Sequence, residues 1–261
     1  MRRSILAASL ALAAVSTASA GDLAVPHYKA APLQSAYSWG GGYAGLQGGY
    51  GLSNESSDIG GGNANGVAVV GSGAVPNHIK TEARGGFIGG HTGYNWQNGQ
   101  IVYGLEGDIN WADIKGGDTR VLAFAPISLT TTGNSGLDWF GSVRGRLGYL
   151  ATQHLMLYGT GGVACGGVTG NSSIVLAAPA PFGASALAGY NETKVGWVAG
   201  GGIEWAAFQN IRLRAEYKYL DFGSHTMASG GTVAGTPVAF VSTQKDAFHT
   251  VGVGASYALP Y

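Results

Sequence analysis

Charge and apolar bulk keep to opposite parities over runs of about ten residues, and few folds satisfy such a pattern. Along 101–111, 139–149, 195–205 and 211–219 the odd positions carry Ile101, Leu105, Ile109, Val143, Leu147, Val195, Ile203 and Leu213 among others, and none is charged. The even positions of the same four segments and their margins carry Glu106, Asp108, Asp138, Arg144, Arg146, Lys194, Glu204, Arg212, Arg214, Glu216 and Lys218. Period two places the two sets on opposite faces of a strand, whereas a helix would mix them on one face.

Extending the pattern predicts eight strands, at about 42–52, 84–96, 101–113, 137–150, 155–168, 193–205, 211–222 and 247–259. The connections sort into two kinds. Those at 97–100 (with Asn98-Gly99, a hairpin signal), 151–154 and 206–210 are short. Those at 53–82, 115–136, 172–192 and 223–246 are long and rich in Gly, Ser, Thr, Asn and Ala. Short turns at one end and long loops at the other are the layout of an up-and-down transmembrane β-barrel. The expectation is therefore an all-β, eight-stranded antiparallel barrel with four long extracellular loops.

Alternation alone does not say which face is inside. The aromatic residues decide it. Trp96, Trp111, Trp139, Tyr149, Trp197, Trp205 and Tyr257 share the apolar face and lie mainly near strand ends, while Gly107, Gly145 and Ala199 hold strand middles. Amphipathic rings favour the two headgroup levels of a bilayer, so these residues read as aromatic girdles facing lipid. The charged parity then faces the lumen. Eight strands leave room only for side chains there, so six cations and five anions are expected to pair in a filled, charged interior. Composition agrees with a Gly-rich β protein: 47 of 261 residues are glycine and only 11% are charged. Equal numbers of basic and acidic residues, 14 each, leave no footprint for nucleic acid.

Residues 1–20 read as an export signal, with Arg2-Arg3, an apolar run from Ile5 to Val15, and Ala18-Ser19-Ala20 before the cut. That run is too short to span a bilayer. Residues 21–38, with Pro26 and Pro32, read as an extended leader, and 39–261 as the barrel. The lone Cys165 offers no intramolecular disulfide.

Ordered blocks of the sequence carry a resemblance. Trp39-Gly-Gly-Gly-Tyr-Ala-Gly-Leu-Gln-Gly-Gly-Tyr50, Asp138-Trp-Phe-Gly-Ser-Val-Arg-Gly-Arg-Leu-Gly-Tyr149, Leu157-Tyr-Gly-Thr-Gly-Gly-Val-Ala164 and Arg214-Ala-Glu-Tyr-Lys-Tyr-Leu-Asp-Phe-Gly223 resemble the eight-stranded porin-family surface antigens of alphaproteobacterial outer membranes. The resemblance implies an outer-membrane location, exposed loops and an immunogenic, structural protein. Members are also described as weak porins or as haem-binding proteins, and an adhesive role belongs to the same alternatives. It implies outer-membrane lipid as partner, with the barrel-assembly machinery and periplasmic chaperones during biogenesis; the barrel itself is read as a monomer. Family chains end on Tyr-x-Phe, the signal read during assembly. Here Tyr257, Leu259 and Tyr261 share one parity, with Leu259 where the terminal Phe would stand.

The six histidines, His27, His78, His91, His154, His225 and His249, show no zinc-like clustering, so no metal or other cofactor is expected. His78 and His225, in the predicted long loops, are the candidates if haem iron is ligated. Glu106 and Asp108 lie close to Arg144 and Arg146 in the expected pairing and read as ion pairs rather than as a glycosidase carboxylate pair. Among hydrolase arrangements only His249, beside Thr250 and near Asp246, comes near a membrane-rim nucleophile and base. No residue is nominated as catalytic.

Overall fold

The computed structural model describes residues 37–73, 75, 77–124, 126–179, 184–233 and 236–259. The expected export signal at 1–20, the leader up to residue 36, and Pro260 and Tyr261 lie outside the described residues.

Eight strands form one antiparallel ring in sequence order. They are β1 (Gly41–Gly61), β2 (His78–Asn98), β3 (Ile101–Phe124), β4 (Ile127–Thr152), β5 (Leu155–Ala177), β6 (Ala184–Ala206), β7 (Ile211–Val233) and β8 (Thr236–Ala258). Closure comes from β1 pairing with β8, Tyr43 opposite Ala258 and Leu52 opposite His249. The Leu259 amide continues that ladder by donating to the Gly42 carbonyl at 2.9 Å. No backbone edge is then left open at membrane level, as hydrocarbon requires.

The strands run far past their predicted ends. Strands of 21–26 residues, at about 3.3 Å rise and about 40° tilt, stand roughly 60 Å tall, against an apolar band of about 25 Å. The four long loops of the sequence reading are thus mostly ladder: β3 and β4 pair as far as Phe124 opposite Ile127, and β7 and β8 as far as Val233 opposite Thr236. Among the described residues, only the β1–β2 connection holds other regular structure, a short helix α1 (Ala64–Gly71). Asn63 caps it, its Oδ1 accepting from the Gly66 amide at 2.8 Å. Gly66 is required by a close approach, since a Cβ there would sit 2.0 Å from the Ala239 carbonyl oxygen.

The ring is complete only at its base. β2 and β3 pair up to Ala83 opposite Gly116, and β6 and β7 up to Trp197 opposite Asp221. Beyond these levels the ladders continue within two four-stranded sheets, β3-β4-β5-β6 and β7-β8-β1-β2. Their inner faces meet through Ile59, Val75, Ile174, Val238 and Phe240, with Val69 and Val70 of α1 packed on top. Three bulges mark the change of level, between Trp111 and Ile114, Leu137 and Trp139, and Asp221 and Ser224, where Gly223 takes φ +80°. An extra residue reverses the parity beyond a bulge. Thus Arg144 and Phe140 face inward on even positions, but Leu137 and Ser135 on odd ones.

Candidate functional site: a charged plug inside an apolar belt

The membrane-level lumen is filled in three layers. The floor is Trp39, Val102, Leu150, Met156, Tyr158 and Ala206, with Tyr37 packed against it. The upper layer is Phe87, Ile114, Leu137, Phe140, Val168, Leu220, Phe222 and Phe248 with their neighbours. Between them lies a network of buried charges.

Glu106 is its centre. It accepts from Arg144 at 2.6 Å, Arg214 at 2.7 Å and the Tyr43 hydroxyl at 2.8 Å. Arg144 also meets Asp108 at 2.9 Å and Glu216 at 2.8 Å. Arg146 donates to Glu204 at 2.5 Å and to the Tyr43 hydroxyl at 2.8 Å, with its guanidinium 4.4 Å from the Tyr158 ring centre. Lys218 stands 3.7 Å from Asp108 and 3.8 Å from Glu216. Arg212 lies 3.9 Å from Glu204, donates to the Tyr37 hydroxyl and covers the Trp39 ring. These guanidinium and carboxylate groups are almost wholly withdrawn from solvent, so each depends on its partners.

Local sequence makes the room. The charged inward positions alternate along the ring with inward glycines, which an eight-stranded interior needs. A Cβ at Gly202 would lie 2.9 Å from the Tyr158 hydroxyl, and one at Gly254 3.2 Å from Arg214 Nε. Tyr43, Gln47, His91, Asn95 and Asn110 also face the plug, although the sequence reading did not select them. Gln47 bonds to Asn110 at 2.6 Å and accepts from Arg214, and His91 meets Ser256 at 2.7 Å. Their signal was present: Tyr43 and Gln47 share the parity opposite to Leu46 and Tyr50.

Two expected members stand elsewhere. Asp138 is displaced by the β4 bulge, is half exposed, and lies 3.6 Å from Lys115. Lys115 is held above its usual range, first by its hydrogen bond with Asp113 and then by the charges of Asp113 and Asp138. Lys194 does not face the Arg212–Lys218 run, because the β6–β7 register sets that run lower, with Lys218 opposite Gly200 and Arg212 opposite Ala206. It bonds instead to Asp246 at 2.5 Å, which also accepts from the Tyr190 hydroxyl at 2.8 Å.

The outer wall carries the opposite chemistry. Leu46, Ile88, Leu105, Ile109, Val143, Leu147, Val163, Val195 and Val253 are exposed on it. Trp96, Tyr149, Trp205 and Tyr257 ring its lower rim, and Trp111, Trp139 and Trp197 its upper rim, Trp139 being half-buried over Gly167. Trp96 stacks on Tyr103 with ring centres 5.8 Å apart, and Trp197 meets Tyr219 at 5.2 Å. Tyr149 and Trp139 are ten residues apart on one strand, a height of about 25 Å for a tilted strand, which is the thickness of an outer-membrane apolar band. Tyr257 and Leu259 both face outward at the lower rim.

Comparison with known proteins settles the family. Residues 6–258 match the outer membrane protein beta-barrel domain. The chain belongs to this family of outer-membrane barrels. Among its relatives, the 31 kDa outer-membrane immunogenic protein of Brucella melitensis is 34% identical over 98% of this chain and 99% of its own. The 22 kDa outer membrane protein of Rhizobium leguminosarum is 32% identical over 74% of this chain and 69% of its own. Among solved structures, OprG from Pseudomonas aeruginosa overlaps 84% of this chain and 98% of its own at 10% identity, with a TM-score of 0.43. The protein is thus an outer-membrane β-barrel.

The histidines considered above fall on separate faces. His249 points outward and shares a hydrogen bond with the Tyr217 hydroxyl at 2.7 Å, while Thr250 and Asp246 are buried inside. The pleat therefore separates His249 from Thr250 and Asp246. His78 pairs with Asp58 at 2.8 Å on one sheet of the extension, and His225 lies tilted against Tyr190 with ring centres 4.4 Å apart.

Proposed function

We propose that this barrel is a structural and surface-display protein of the outer membrane, and that it neither conducts solutes nor catalyses a reaction. The observation that carries this is the filled lumen: buried ion pairs around Glu106 lie between two apolar layers, from Trp39 below to Phe248 above. A diffusion path would have to part all three. The reading also draws on the relatives named as immunogenic proteins, since the extension lifts its hairpin tips well above the bilayer. Lipid is its main partner and the barrel acts alone, with Tyr257 and Leu259 offering the assembly machinery its terminal outward side chains. The test is planar-bilayer recording of the refolded protein. Wild type is expected to give no unitary steps; discrete, reproducible steps at modest voltage would establish the weak-porin alternative instead.

A further inference from the structure

We propose that the outward face of β3–β6, just above the upper girdle, is a binding groove for a neutral saccharide, the sugar of an outer-leaflet glycolipid. Asn134 and Asn171 sit opposite each other on β4 and β5, both exposed. Each is flanked across the sheet by a glycine, Gly117 on β3 and Gly189 on β6. A Cβ at Gly117 would fall 2.0 Å from the Asn134 amide oxygen, and one at Gly189 2.3 Å from that of Asn171. Each glycine thus makes room for the amide of its asparagine to lie over the neighbouring strand.

Two cavities of about 460 and 260 Å³ share both asparagines. Thr169 and Lys115 line the first, and Thr132 and Ser173 the second. Neither asparagine amide has a protein partner among the described residues. An amide offers two donors and an acceptor, which suits vicinal sugar hydroxyls.

Charge selects a neutral ligand. The ammonium of Lys115 is occupied by Asp113 at 2.7 Å and Asp138 at 3.6 Å. The corresponding outer face of the other sheet carries more charge, with Lys80, Glu82, Arg84, His78 and Asp58. Height selects the source. Asn134 lies five residues beyond Trp139 with one bulge residue between, about 10 Å above the girdle, where the sugars of outer-leaflet glycolipids begin.

The experiment is native mass spectrometry of the full barrel extracted with its lipid, followed by competition. Wild type is expected to retain glycolipid and to lose it to the released, lipid-free oligosaccharide, but not to a diacyl phospholipid. N134A/N171A should bind about tenfold more weakly, as expected for two lost neutral hydrogen bonds, while K80A/R84A on the other sheet binds as wild type does. Heat-modified gel mobility verifies that each variant is a barrel, and this readout is independent of conductance. Unchanged retention by N134A/N171A, or equal displacement by phospholipid, would overturn the proposal.

Discussion

The lower and upper halves of these eight strands use the same ladder with opposite chemistry. At membrane level the wall is apolar outside, with Leu105, Val143 and Val253 exposed, and charged inside around Arg144 and Glu106. In the extension the inside is apolar, with Ile59, Ile174, Val238 and Phe240, and the outside carries Asn134, Asn171, Thr226 and Lys80. The surrounding solvent decides which face must be apolar, because burial is relative to whatever lies outside. In lipid the outer face has no water to satisfy polar groups. Above the bilayer the ordinary hydrophobic effect draws apolar side chains inward.

The sharpest way to break this comparison is to unbalance the plug. Arg144→Leu leaves Glu106, Asp108 and Glu216 short of a shared cation, and should cost about 3–5 kcal/mol in the unfolding of the reconstituted barrel. Adding Glu106→Gln should cost less than the sum of the two single changes, and strict additivity would refute a direct coupling. Next in size is a charge on the outer wall at the two levels. Val143→Arg, near mid-bilayer, should cost about 2–4 kcal/mol and lower the heat-modifiable fraction. Leu187→Arg, on the exposed outer face of the extension, should stay within about 0.5 kcal/mol. Similar losses at both sites would mean that the two levels do not differ in solvent.

The smallest effect sharpens the inner contrast. Ile174→Val should loosen the extension by about 1 kcal/mol, seen as faster amide exchange along 170–177 and 236–242. Exchange around Arg144 should be unchanged, and faster exchange there would show that the two levels open as one unit.

Much of the membrane-level fold was legible in the chain because lipid enforces it. Odd positions such as Ile109 and Val195 had to be apolar, so the strands, their order and their outward faces could be read from period two. The plug was legible by exclusion: Glu106, Arg144 and Arg214 had only the lumen left to face. The extension was not legible. Val238 and Phe240 keep the inward parity of Phe248, yet as apolar residues on the charged parity they read as the end of a strand. Asp138 was misplaced for a related reason, since a bulge is a property of paired strands and leaves little trace in one of them.

The sequence by itself determined that this chain makes an eight-stranded barrel with girdled rims and inward charge, because every residue in the bilayer meets one of two solvents that tolerate different side chains. Only the tertiary structure decided which carboxylate each guanidinium would take, where the ring divides into two sheets, and that Tyr43 bridges Glu106 and Arg146. Those choices depend on register, bulges and the space left by glycines on neighbouring strands, and such distances are set only when the ring closes.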